Sequence, residues 1–201
     1  MTRAQGSGIE IEYAVTGVPG AARVVVVVRS GALATTDPDA GVTARHDVRL
    51  LLVDLDGEEL IDPPAYGSAT PAGESADQVR TILAREAHAE VVGMVAEAAA
   101  VPFAVTLCAQ LGDRVDRLAL VGAPSPESPL ARDVLAERLR AVRADTVVFA
   151  VSTHDEGPAS WYAEQLPRGR AEMRASDPNS ADHRLALTTV WPDVLAHVVP
   201  G

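Results

Sequence analysis

Residues 23–29 read RVVVVVR, five consecutive valines between two arginines. A strand with one wet face alternates apolar and polar residues, so an unbroken β-branched run predicts a strand buried on both faces. Similar runs recur at 49–53 (RLLLV), 90–95 (EVVGMV), 117–122 (RLALVG) and 146–151 (TVVFAV), with a shorter candidate at 171–175. Residues 9–15 (IEIEYAV) alternate and predict a half-exposed edge strand. Amphipathic stretches lie between the later runs, and they predict helices over 75–87, 97–111, 130–143, 160–166 and 190–199. Pro102 falls near the start of one of these and is expected to kink it or reset its first turn. Buried strands alternating with helices predict an α/β fold with a mostly parallel sheet and helices on both faces.

The chain has 201 residues, which is about one domain, taken here as 1–201. Aromatic residues are 3% of the chain against 47% apolar, so the core must be aliphatic. The net charge is −11 and all 17 cations are Arg. That balance argues against nucleic acid and against a basic membrane anchor. No apolar run nears the ~20 residues of a membrane span. The N-terminal residues MTRAQGSG lack an apolar signal core, so a cytoplasmic location is expected. The single cysteine, Cys108, excludes an intramolecular disulfide and a cysteine-based zinc site.

The order of segments, with the stretch DRVDRLALVGAP at 113–124, resembles the α/β-hydrolase superfamily over nearly the whole chain. The resemblance implies an α/β-hydrolase-like sheet. Residues 123–146 hold one predicted helix, so no cap domain is expected. It places the oxyanion turn at Ser30 and Gly31, the acid at Asp155 and the base at His183. The family's nucleophile sits in a G-x-S-x-G elbow. Aligned on Gly93, this chain reads Gly93-Met94-Val95-Ala96-Glu97, which puts Val95 at the nucleophile position. A valine has no lone pair to attack a carbonyl. Classical serine hydrolysis is therefore expected to be absent. The oxyanion and pocket candidates are Ser30, Gly31, Met94, Val95, Ala96 and Glu97. A non-catalytic ligand-binding or interaction scaffold is expected. The alternative is an enzyme that uses an Asp155–His183 pair as a general base without a serine.

Other residues carry less. Ser30 as a substitute nucleophile would need a base within reach. Glu97 at a helix start complements the helix dipole. Cys108 has apolar neighbours and reads as a buried small hydrophobe. His154, Asp155, Glu156, Asp177, Asp182 and His183 have no metal-ligand spacing, and no metal or cofactor is expected. There is no phosphate-loop motif. The arginines at 132, 138, 140 and 143 read as a salt-bridged face. A small molecule is the expected partner. A homodimer is also expected, through apolar surface left bare at the C-terminal ends of the strands.

Overall fold

The valine run becomes β3 (Arg23–Arg29), and it lies in the middle of the sheet with Val25 to Val28 fully buried. In this computed structural model the described residues are 2–5, 10–31, 34–55, 71–87, 91–174 and 186–200. The other strands are β1 (Thr2–Gln5), β2 (Glu10–Gly17), β4 (Val48–Asp54), β5 (Val92–Glu97), β6 (Val115–Val121), β7 (Asp145–Ala150) and β8 (Gly169–Met173). They form one sheet in the order β1-β2-β4-β3-β5-β6-β7-β8. The pairings from β4 through β8 are parallel, and β2 runs antiparallel to β1 and β4. Both faces of the central strands are therefore available to helices, which is why these strands carry no polar alternation.

Six α-helices surround the sheet among the described residues: α1 (Ala40–Thr43), α2 (Pro71–Glu86), α3 (Val101–Leu111), α4 (Pro129–Ala141), α5 (Glu156–Gln165) and α6 (Ala186–Val198). Helices α2 to α5 bury Val79, Leu107, Leu139 and Tyr162 against one face, where Val26, Met94, Leu118 and Val148 point. On the other face α6 packs Val190, Trp191 and Val194 against Val25, Val95 and Val147. Trp191 donates its indole N–H to Thr43 Oγ1 at 3.0 Å, which joins α6 to α1. Ser128 caps α4 by accepting from Ala131 N–H at 3.1 Å, and Pro129 occupies its first turn, where a missing N–H costs nothing. Pro102 likewise sits at the start of α3. Between β6 and β7 the chain holds α4 and no cap.

Three strand assignments differ most from the sequence reading, one of them the candidate at 171–175, which runs instead over Gly169–Met173. β1 was not foreseen, because TRAQ has no apolar alternation; it is held by antiparallel pairing with β2. The strand expected at 90–95 runs instead over Val92–Glu97. Ala96 and Glu97 look helical in an Ala-rich run, yet they pair with Leu120 and Val121 of β6.

Candidate functional site

The strand-to-helix junction at the C-terminal end of β5 holds a strained residue. Ala98 has φ +49°, the only positive φ at a non-glycine among the described residues. A Cβ disfavours this left-handed region, so the chain adopts it there only because its flanks are fixed. Ala96 and Ala100 on either side are fully buried, while Ala98 and Ala99 face solvent. A 3-10 turn (Ala98–Ala100) then leads into α3. The sequence reading placed this turn at Val95, and the structure corrects it. Val95 lies inside β5, paired with Val27 and Ala119, and is fully buried under α6. Gly93 has a packing role and is not part of the turn. A Cβ there would come within 2.9 Å of the Val198 carbonyl, so this glycine serves the close approach of α6.

Just before the turn, Glu97 points toward the α6 face. Its Oε2 accepts from Arg29 Nε at 2.7 Å, and the two side chains are only 7% and 11% exposed. Its Oε1 accepts from the Leu187 backbone N–H at 3.0 Å, in the first turn of α6. One carboxylate thus joins the ends of β3 and β5 to the start of α6. The negative charge also meets the positive end of the α6 dipole. Glu97 is fully engaged in structure. Met94, another pocket candidate, points to the opposite face, with its sulfur 3.3 Å from Cys108 Sγ. Burial pushes the Cys108 thiol up, which keeps it protonated and inert.

No family model matches the chain, and no curated protein matches it. Solved structures do. A dienelactone hydrolase from Anabaena variabilis superposes with a TM-score of 0.67 at 18% identity, over 98% of this chain and 96% of that one. An enol-lactonase from Burkholderia xenovorans gives 0.69 at 14% identity, over 98% and 100%. A carboxylesterase from Bacillus subtilis gives 0.71 at 11%, over 100% and 91%. The chain has the α/β-hydrolase fold. In this fold the nucleophile stands at a sharp turn from strand to helix. Here the turn of that shape is Ala96-Glu97-Ala98-Ala99-Ala100, with Ala98 at its crest.

The other α/β-hydrolase positions fall as follows. Ser30 and Gly31 follow β3, and both are exposed. Gly31 has φ +95°, and its N–H donates to Asp54 Oδ1 at 3.1 Å. Asp155 lies in a 3-10 turn (Thr153–Asp155) after β7, and its Oδ2 accepts from Ser152 Oγ at 2.8 Å. His154 is exposed. His183, Asp177 and Asp182 lie outside the described residues, and the Asp155–His183 pair with them. Among the described residues no three His, Cys, Asp or Glu side chains are grouped to hold a metal. Two grooves, of about 820 and 610 Å³, open at the N-terminal ends of β6 to β8, the opposite end of the sheet from Ala98.

The sequence reading missed Ala98 and Arg29. Small residues at 96, 98 and 100 were the available signal for the first. Arg29 and Glu97 are 68 residues apart, and no local pattern links them.

Proposed function

We propose that this protein is a non-catalytic member of the α/β-hydrolase fold, a ligand-binding or interaction scaffold whose elbow has lost its nucleophile. The observation that carries this reading is Ala98, a solvent-facing methyl at the positive-φ crest of the turn. A methyl group has no lone pair for a carbonyl carbon and no proton for a base to remove. Two further features support it. The carboxylate beside the crest is spent on Arg29 and α6, and the Gly31 N–H is spent on Asp54. The resemblance places the oxyanion turn at Ser30 and Gly31, and if the Gly31 N–H held by Asp54 is its donor, an attacking group at the crest would lack on the order of 3 kcal/mol of transition-state stabilisation.

The test is turnover of p-nitrophenyl acetate and of a small lactone. The wild-type protein is expected at the buffer rate. Ala98→Ser is expected to stay within about tenfold of it, because the donor is diverted. Turnover by the wild type that His183→Ala abolishes would overturn the proposal in favour of a general-base enzyme built on Asp155 and His183.

A further inference from the structure

Among the described residues β8 is an edge strand of the sheet, and its register states what can pair with it. Arg168 C=O accepts from Thr146 N–H, and Arg174 N–H donates to the Ala150 carbonyl, both at 2.9 Å. The even-numbered residues therefore turn their backbone groups toward β7, and the N–H and C=O of Gly169, Ala171 and Met173 point away from the sheet. These groups have no partner among the described residues. Arg170, Ala171 and Met173 are exposed.

The side chains on the α6 face alternate in sign along this edge: Arg170, Glu172, Arg174. Arg170 Nε donates to Glu172 Oε1 at 3.0 Å, and Arg174 Nη2 donates to Glu172 Oε2 at 2.8 Å. Edge strands that must stay single usually carry charge that repels a copy of themselves. This edge does the reverse in one register. In an antiparallel pair about a two-fold axis at Ala171, Ala171 faces itself and Gly169 faces Met173. Both are outward-pointing positions, and each such pair exchanges two N–H···O bonds. Arg170 then lies opposite the copy's Glu172, twice, at the closely spaced non-hydrogen-bonded positions where opposite charges attract. An axis at residue 170 or 172 would oppose Arg170 to Arg170 or Glu172 to Glu172.

We propose that β8 is the self-recognition edge of this protein, and that its partner is a second copy paired antiparallel about Ala171. The sheet then continues through the dimer. The contact lies on the sheet edge and not on the rim above the strand ends. A five-residue strand spans only ~17 Å, so its area falls short of the ~1,200 Å² of a standard interface and the dimer exchanges on dilution. Past the strand ends Arg168 comes opposite Arg174, which weakens it further.

Sedimentation equilibrium tests this. The wild type is expected to rise from the monomer mass of 21.0 kDa toward twice that value between micromolar and millimolar concentration. Arg170→Glu and Glu172→Arg are each expected to be monomeric, since each opposes like charges. Their equimolar mixture is expected to dimerise, since each then meets its complement. Arg170 also contacts Asp145 and His197, so Ala171→Pro is the second probe. It removes an N–H that faces away from β7, a position where an edge strand tolerates proline. Circular dichroism checks that each variant folds. A wild type that stays at 21.0 kDa throughout overturns the proposal, and so does a dimer that survives both Ala171→Pro and Arg170→Glu.

Discussion

Replacing Ala98 with glycine should stabilise the protein, against the usual effect of that change. An L-residue in the left-handed region costs about 1–2 kcal/mol relative to its right-handed wells. Glycine escapes that cost, and gives back about 0.5–1 kcal/mol through the larger freedom of its unfolded chain. The Ala98 methyl faces solvent, so no packing is lost. The net expectation is a gain of up to about 1.5 kcal/mol, which for a chain of this size raises Tm by up to about 6 °C. Ala99 is the internal control. It is also exposed, but its φ is not positive, so Ala99→Gly should cost about 0.5–1 kcal/mol. The two adjacent substitutions are therefore expected to move the urea midpoint in opposite directions at unchanged m-value. If Ala98→Gly destabilises as much as Ala99→Gly, Ala98 is unstrained and the assignment of the elbow to it fails.

Three further outcomes follow from single contacts. Glu97→Leu removes the carboxylate that bridges Arg29 and the Leu187 N–H, and is expected to cost on the order of 3 kcal/mol; a double-mutant cycle with Arg29→Met should show coupling of about 1–3 kcal/mol, and additivity would show that the pair contributes nothing. His197 in α6 lies with Nε2 3.0 Å from the Asp145 carbonyl, which it meets as a donor, and Nδ1 3.3 Å from Arg170 Nη2, which needs the ring neutral. Burial, and then the neighbouring Arg170 charge, lower its proton affinity. The unfolded chain therefore takes up the proton first, so stability is full above about pH 6.5 and declines as pH falls below it toward the lowered folded value. His197→Gln should flatten the decline that sets in below about pH 6.5, and an unchanged slope would refute the assignment. Tyr162 is fully buried, and its hydroxyl has no hydrogen-bond partner among the described residues. Tyr162→Phe should then be neutral or stabilising by up to about 1 kcal/mol in the same denaturation assay, and a comparable loss would reveal a hidden partner.

Much of the sheet was legible because its strands are buried on both faces. RVVVVVR can hardly be anything else, and its limits at Arg23 and Arg29 matched the sequence run. Asp155 was legible as the residue that follows a buried strand. The elbow was not, for two physical reasons. Ala and Glu are strong helix formers, so Glu97 reads as the start of a helix and Ala96 as the residue before it, until the pairing with β6 claims both. A positive φ is announced in sequence by glycine, and here it falls on an alanine among five alanines between residues 96 and 104. The ion pair of Arg29 with Glu97 was illegible because it is assembled by the neighbouring positions of β3 and β5 in the sheet.

The strain at Ala98 has a structural cause that needs no chemistry. On one side β5 is held in register with β3 and β6 through Ala96, and Glu97 is fixed at both carboxylate oxygens. On the other, Ala100 and Val101 are fully buried and start a helix packed on the sheet face that Met94 and Leu118 share. One exposed residue must reverse the chain between these two fixed segments, and the left-handed well is what the geometry leaves for it. A nucleophile in an active hydrolase uses the exposure that this turn provides, but the packing on either side already dictates the turn. On the proposed reading, loss of a hydroxyl at this position would remove the chemistry without releasing the backbone, and a positive φ kept at an alanine is what that separation of causes predicts.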